Sequence, residues 1–417
     1  MKLTTPATNM RNDCDIVIIS TSRWDNPYSS VGFSFAKEFA KNNRVFYIDH
    51  PFSLNEVASQ YSNKDMVKSR IPALFLGKSI YRKIDGLPDN LTIVTPKVTL
   101  PINWLEEGTL YNTLWKFNDR IVQNALKKTI KDFNIKKYVF FNSFDPFYFR
   151  SIEADIQPVV KVYQTIDDIT QETYIARHGV RLEKEVILNS DVSMGTSKQL
   201  THLISRYTPA AFCMPNAADF SLFQKAATEQ LARPKELVGI DKKIICYTGN
   251  IGSRINYSLL KKVAQTHTDK ILLMVGPVSN EDHKEFDLDK LPNVIFTGSR
   301  DIKDLPSYLQ HSDCLLIPFE YSVLTKSIYP LKINEYLTAG KPVIATAFSE
   351  DIQDFGDVAY IAQTEEEFVA KINQAIQEDS AERKQARIAK AALNTWQARV
   401  AYFWDIVESA SAKKQPA

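Results

Sequence analysis

The feature that most narrows the folds open to this chain is a repeated alternation of short apolar runs with helical stretches, carried through two successive halves. In the second half the apolar runs fall at 243–248, 271–275, 294–297, 314–317 and 342–346, with helical patterns between them. Gly249, Gly276, Gly298 and Gly340 stand at strand ends or just before a strand, where tight turns favour a residue without a side chain. The first half repeats the pattern at 16–20, 45–48, 91–94, 138–141, 159–163 and 191–194, with helices expected at 31–41, 110–133 and 181–188. Strands that alternate with helices predict parallel, doubly wound sheets. A chain of 417 residues exceeds the ~250–300 at which a single core stops growing, so the fold class is α/β with two Rossmann-like domains. We read 1–218 as the first domain and 219–394 as the second. The tail is helical from 381 to 411 and carries Trp396, Tyr402, Phe403 and Trp404. Its aromatics need a surface, so 395–417 is expected to dock back on the first domain.

Several function classes are excluded at once. The 51 basic and 49 acidic side chains leave a net charge of +2, which gives no general attraction to nucleic acid. Neither GxGxxG nor GxxxxGK[ST] occurs, so the glycine turns of a dinucleotide fingerprint or a P-loop are missing. The cysteines Cys14, Cys213, Cys246 and Cys314 form no CxxC, and the histidines form no HExxH or HxH. A reduced, cytoplasmic protein without structural zinc is expected. The stretch 1–13 has no apolar h-region, and no apolar run approaches the ~18 residues of a membrane span, though a chain of this kind can still lie on a membrane surface.

The most informative segment is Tyr329-Pro-Leu-Lys-Ile-Asn-Glu-Tyr-Leu-Thr-Ala-Gly-Lys-Pro-Val-Ile-Ala-Thr346. Pro330 suits the first turn of a helix, where its missing N–H costs nothing. Lys332 then lies near the positive end of the helix dipole, a conflict that a bound anion would remove. Glu335, three residues on, shares nearly the same face and is able to accept ribose hydroxyls while Lys332 holds phosphate. The plainer alternative is a solvated Lys and Glu on an amphipathic helix.

This segment carries every element of P-x-K-x-x-E-Y-L-x-x-G-K-P-V. It resembles the nucleotide-sugar site of glycosyltransferases of the two-domain GT-B fold, near the family 4 type of bacterial polysaccharide enzymes. The resemblance extends to Tyr247-Thr-Gly-Asn-Ile-Gly-Ser-Arg254, Val275-Gly-Pro277, Ile295-Phe-Thr-Gly-Ser-Arg300, the run 305–319 and Pro215-Asn216. It implies two domains facing a cleft, with the donor on the second. It further implies that Arg254 and Lys332 neutralise the donor diphosphate, that Gly249 lets the backbone approach it, and that Glu335 and Tyr329 lie on the nucleoside side. Arg300 either lies near the base or ribose or is a plain surface arginine. The donor, with UDP or GDP as its nucleotide, is a substrate; no cofactor and no metal is implied. The chain departs from the family's usual E-x7-E pair, because Ser327 stands where the first Glu belongs. We do not transfer that role to Glu320.

In the first domain, Val160-Lys-Val-Tyr-Gln-Thr-Ile-Asp167-Asp168 ends a strand with two carboxylates. Enzymes with the P-x-K pattern carry a similar Y-x-x-x-D-D, and the xanthan glucuronosyltransferase, a distant relative by resemblance, inverts its sugar with an aspartate base in its first domain. Asp167 is the candidate base; Asp168 better suits a helix N-cap. Arg23 and Trp24, in the loop after the first strand, are candidates to touch an acceptor or phosphate, although Trp24 equally suits packing. Between 61 and 84, six Lys/Arg against one Asp are interleaved with apolar residues, which fits either an anionic membrane surface or an excursion packed on the domain. The triplets Asp13-Cys-Asp15 and Asp287-Leu-Asp289 lack the context of a metal site.

The reading is a metal-independent glycosyltransferase that moves a sugar from a nucleotide donor to a hydroxyl of a saccharide or lipid-linked acceptor in surface polysaccharide synthesis. A peripheral place on the inner face of the membrane is consistent with it. A nucleotide-sugar 2-epimerase on the same fold and a non-catalytic nucleotide-binding relative are the alternatives.

Overall fold

A computed structural model describes residues 10–26, 30–60, 65–171 and 175–414. The chain divides into two compact units. One takes the residues up to Thr196, Leu200–Met214 and those from Val400 on; the other takes Ser197–Gln199 and Pro215–Arg399. Apart from the short excursion at Ser197–Gln199, the chain changes unit at Met214–Pro215 and again at Arg399–Val400, against boundaries read from sequence at 218/219 and 394/395.

The first unit is built on β1 (Asp15–Ser20), β2 (Val45–Ile48), β3 (Tyr81–Arg82), β4 (Leu91–Val94), β5 (Tyr138–Ser143), β6 (Val160–Thr165), β7 (Val192–Gly195) and β8 (Ala211–Cys213). Among the described residues these form one sheet in the order β3-β4-β2-β1-β5-β6-β7-β8, parallel except where β3 meets β4. Ile16 to Ile19 are fully buried, as a β-branched run covered on both faces should be. The helix Val31–Phe39 opens on Ser30, whose Oγ accepts from Phe33 N at 3.2 Å. The long helix Thr109–Asp132 and the helix Ala176–Leu188 follow. Phe403, on the helix Trp396–Lys414, lies against Phe39 and Phe141 with ring centroids 4.9 and 5.2 Å apart.

The second unit carries β9 (Lys243–Thr248), β10 (Lys270–Val275), β11 (Val294–Gly298), β12 (Cys314–Ile317), β13 (Val343–Thr346) and β14 (Tyr360–Ala362). Its order is β11-β10-β9-β12-β13-β14, and every pairing is parallel. Cys246 on β9 and Cys314 on β12 are free, buried thiols that act as small apolar groups. Both sheets are doubly wound and Rossmann-like, so the fold class is α/β as expected.

The expected helical tail is two helices, Ala381–Ala392 and Trp396–Lys414, interrupted at 393–395. The buried Arg387 on the first of them donates from Nε and Nη2 to Gly340 O at 3.0 and 2.9 Å. It thereby caps the end of the helix Leu331–Thr338, where Gly340 takes φ +71°. The short edge strands β3, β8 and β14 had no counterpart in the sequence reading, since two or three residues carry no periodicity.

Candidate functional site

In the second unit the carboxyl ends of β9, β10 and β11 are closed by Gly249, Gly276 and Gly298. Gly249 and Gly276 hold φ of +132° and +147°, backbone that side chains resist. A Cβ on Gly276 would fall 1.9 Å from Gly249 O, and one on Gly249 would fall 2.2 Å from Lys332 Cε. Only glycines let these turns stack and let the lysine lie over them. β9 sits between β10 and β12, where successive connections leave in opposite directions. That switch point is where open α/β sheets bind ligands.

Lys332 and Glu335 arrive on the helix Leu331–Thr338, in which Pro330 occupies the N-cap, one place before the first turn predicted for it. The fully buried Tyr336 fixes this helix to β9: its Oη accepts from Thr248 N at 2.9 Å and donates to Thr248 O at 3.3 Å. Lys332 Nζ stands 5.7 Å from the centre of the Tyr247 ring. Loss of hydration lowers the Lys332 pKa; Glu335 opposes this and Arg254 adds to it. Burial pushes the Glu335 carboxyl up to about 7, against the pull of Lys332. Both side chains keep part of their surface open, so they are dehydrated without being sealed off. Arg254 and Glu335 also act on Tyr247. Gly249, Arg254, Lys332 and Glu335 thus form one cluster, two cations and a carboxylate over a glycine floor. A diphosphate entering it would replace the lost hydration of the cations and favour their charged forms.

Other expected residues lie elsewhere. The Arg300 guanidinium is committed to Glu236, to Tyr308 Oη at 2.8 Å and to Ser299 O at 2.8 Å. It is a brace between the loop after β11 and residue 236. Tyr329 is buried against Phe355, and its Oη accepts from Asn334 Nδ2 at 3.1 Å, so its phenol serves the core. Ser327 ends the short helix Val323–Lys326 with its Oγ on Leu324 O at 2.8 Å. Glu320 is bonded through its backbone N to Arg254 O at 2.9 Å.

In the first unit, Asp167 is half-buried just past β6, while Asp168 Oδ1 accepts from Thr170 N and Oγ1 at 3.0 and 2.7 Å. Arg23 turns its guanidinium inward, donating to His50 O at 2.9 Å and Glu56 Oε1 at 3.0 Å and lying 3.6 Å over Phe52. Trp24 receives no solvent-facing role either: its N donates to Asp49 Oδ1 at 3.2 Å, and Arg70 lies over its ring. Arg70 leaves the cationic tract altogether. It is buried and bonds Asp25 at 2.8 Å, whereas Phe75 and Leu76 in the same tract are exposed. Residues 61–64 of that tract lie outside the described residues. Asp15 is tied to Arg44 and Asp287 to Lys290, and among the described residues no three His, Cys, Asp or Glu gather as a metal site requires.

Sequence reasoning overlooked Tyr247, Tyr336 and Arg387, which position the cluster, and Glu183. Glu183 is buried beside β6, accepts from Tyr163 Oη and Thr165 Oγ1 at 3.1 and 2.8 Å, and has its carboxyl pushed up to about 7 by burial. The tyrosines had a signal, since both flank residues that were singled out. Glu183 had none, because its helix reads as an ordinary amphipathic stretch.

Residues 242–378, which hold the whole cluster, match the family model described as Glycosyl transferases group 1. Over 132 residues the chain is 33% identical to a Bacillus subtilis protein named as a teichuronic acid biosynthesis glycosyltransferase, TuaH. That match spans 31% of this chain and 33% of the relative, about a third of its length. Among solved structures, the α,α-trehalose 6-phosphate synthase of Burkholderia multivorans superposes with a TM-score of 0.67 at 9% identity, covering 96% of this chain and 100% of the other. A trehalose-6-phosphate structure from E. coli, bound with UDP-2-fluoro glucose, superposes with a TM-score of 0.66 at 10% identity over 94% and 99%. At such identities the likeness is one of fold, the GT-B architecture of paired Rossmann-like domains.

Proposed function

We propose that this chain is a glycosyltransferase that carries a sugar from a nucleoside diphosphate donor, held by the second unit, to a hydroxyl of a saccharide or lipid-linked acceptor in surface polysaccharide synthesis. One observation carries the reading. The dehydrated Lys332–Glu335 pair, with Arg254, lies over the glycine-closed strand ends at a switch point, inside the segment that matches the glycosyltransferase model. Lys332 and Arg254 stabilise the charge that develops on the leaving diphosphate. Glu335 accepts the ribose hydroxyls, and Gly249 admits the phosphates to the backbone. No metal takes part in this scheme. Asp167 takes the proton of the acceptor hydroxyl, which would invert the sugar. Phe75 and Leu76 rest on an anionic membrane surface near the acceptor's lipid.

Calorimetric titration with UDP, GDP, ADP and dTDP, without metal, tests the reading. One nucleotide should bind selectively, and Lys332→Ala should cost about 2–4 kcal/mol of that binding, the loss of a charge-assisted contact. Absence of binding for all four refutes it. Asp167→Asn should abolish turnover at nearly unchanged donor affinity; full activity would remove Asp167 from the scheme.

A further inference from the structure

The first unit holds a cavity of about 300 Å³ beyond the carboxyl ends of β2 and β5, at the small end of the ~300–1,000 Å³ typical of small-molecule sites. His50, Glu56, Trp104, Trp115 and Tyr148 are among the residues that line it. We propose that this cavity binds a neutral saccharide, whose apolar ring face lies on the tryptophans and whose hydroxyl donates to His50. Calling that saccharide the acceptor rests on the transferase reading; the binding itself does not.

His50 is held in one orientation. Its Nδ1 is 2.7 Å from Oδ2 of Asp145, a residue with no exposed surface. Asp145 is itself immobilised, with Oδ1 accepting from Phe147 N at 3.0 Å and Tyr148 N at 3.3 Å, and its N donating to Asn142 Oδ1 at 2.8 Å. A carboxylate accepts, so the proton on this side of the ring sits on Nδ1, and Nε2, the acceptor of that tautomer, is the nitrogen left to meet a ligand. Among the described residues nothing is bonded to Nε2. Phe144 and Phe149, which bracket this turn, are buried and hold φ of +64° and +54°, a conformation bulky side chains avoid and one that concentrates at functional turns.

The aromatic walls are equally fixed. Trp115 Nε1 donates to Phe147 O at 2.5 Å, and Arg150 lies 3.3 Å over its ring. Trp104 is 69% exposed, yet its Nε1 is bonded to Pro101 O at 2.7 Å and its carbonyl accepts from Arg177. A large exposed indole, anchored at both ends, presents a flat apolar face to a ligand. Charge narrows the ligand further. No Lys or Arg is among the described residues lining the cavity, and Arg23 beside it is committed to Glu56 Oε1 and to the carbonyls of His50 and Pro51, so the lining offers a phosphate or sulfate no uncommitted cation. Flat apolar walls with polar groups between them, and no Lys or Arg in the lining itself, fit a polyol ring.

Saturation-transfer NMR on the full chain tests this, with methyl hexosides and methyl N-acetylhexosaminides, and with hexose 6-phosphates for comparison, each at up to about ten millimolar. Neutral sugars should receive transfer, and Trp104→Ala and His50→Asn should each weaken binding at least about tenfold. Asn keeps an N–H for Asp145 while losing the Nε2 acceptor, and Trp104 is exposed enough for its removal to spare the fold. Nucleotide affinity should be the same in wild type and both variants, which reports an intact second unit. No transfer to any neutral sugar, stronger binding of the phosphorylated sugars, or binding that survives both substitutions overturns the proposal. Failure of all four nucleotides to bind the same protein overturns the transferase reading alone.

Discussion

The two sheets end differently, one on backbone and cations and the other on side-chain walls. In the second unit, strand ends close on glycines whose backbones touch, and a lysine with lowered pKa lies over them. In the first, the loop after β1 contains no glycine, and its Arg23 and Trp24 face inward to brace residues 49–56. A diphosphate needs backbone and cations at close range, which only residues without side chains permit. A neutral ring needs walls, which side chains provide.

The largest expected effect that tests this contrast is at Gly276. Gly276→Ala forces a methyl onto Gly249 O in left-handed backbone and should cost about 3 kcal/mol or more of unfolding free energy, with loss of nucleotide binding. Denaturant unfolding and calorimetry on one sample check it; a variant of wild-type stability would mean that the glycine floor is not tightly packed.

Glu183→Gln probes the buried charge of the first unit. The folded carboxyl titrates near 7 against an ordinary 4.5, so the native state binds the proton more tightly than the unfolded chain. Its contribution to stability is therefore full below pH 4.5 and is lost as pH rises through 7. Gln, which stays neutral, should stabilise the protein by about 3 kcal/mol at pH 8 and by almost nothing at pH 4. Unfolding curves at the two pH values decide; an equal effect at both would show that ionisation is not the cause.

A pair of arginines separates grip from scaffold. Arg254→Gln should weaken nucleoside diphosphate binding by about 2 kcal/mol with little change in stability. Arg300→Gln should leave affinity intact and cost about 1 kcal/mol of stability through the broken bonds to Glu236 and Tyr308. The reverse pattern would move Arg300 into the binding site.

The smallest effect is on the surface. Phe75→Ser with Leu76→Ser should change stability by less than about 0.5 kcal/mol, because both rings and chains are exposed, yet reduce sedimentation with anionic liposomes. If wild type does not sediment, membrane association through this turn is wrong. No described helix is long and apolar enough to cross a membrane.

The core strands of both sheets were legible because parallel strands buried on both faces leave apolar runs that local composition cannot disguise. The grouping of Gly249, Lys332 and Glu335 had one local signal: Pro330 and Gly249 follow ordinary helix-start and turn preferences, whereas a lysine at a helix start opposes the helix dipole unless an anion is present. Arg300 and Tyr329 show the limit. Their sequence context is as suggestive as that of Arg254, but a guanidinium or phenol takes whichever partner lies nearest in space, and Glu236 and Asn334 are 64 and 5 residues away.

What the sequence determined by itself is the α/β class, the positions of the apolar strands and the placing of a lysine against the dipole of a helix start, since each follows from residues within a few positions of one another. Tertiary structure alone decided that Arg70 is buried, that Arg23 supports a loop, that Arg387 caps a helix from 47 residues away and that Asp145 orients a histidine 95 residues before it. Those are partnerships between distant residues. Hydrogen bonds and ion pairs act over a few ångströms of space, and separation along the chain does not encode that distance.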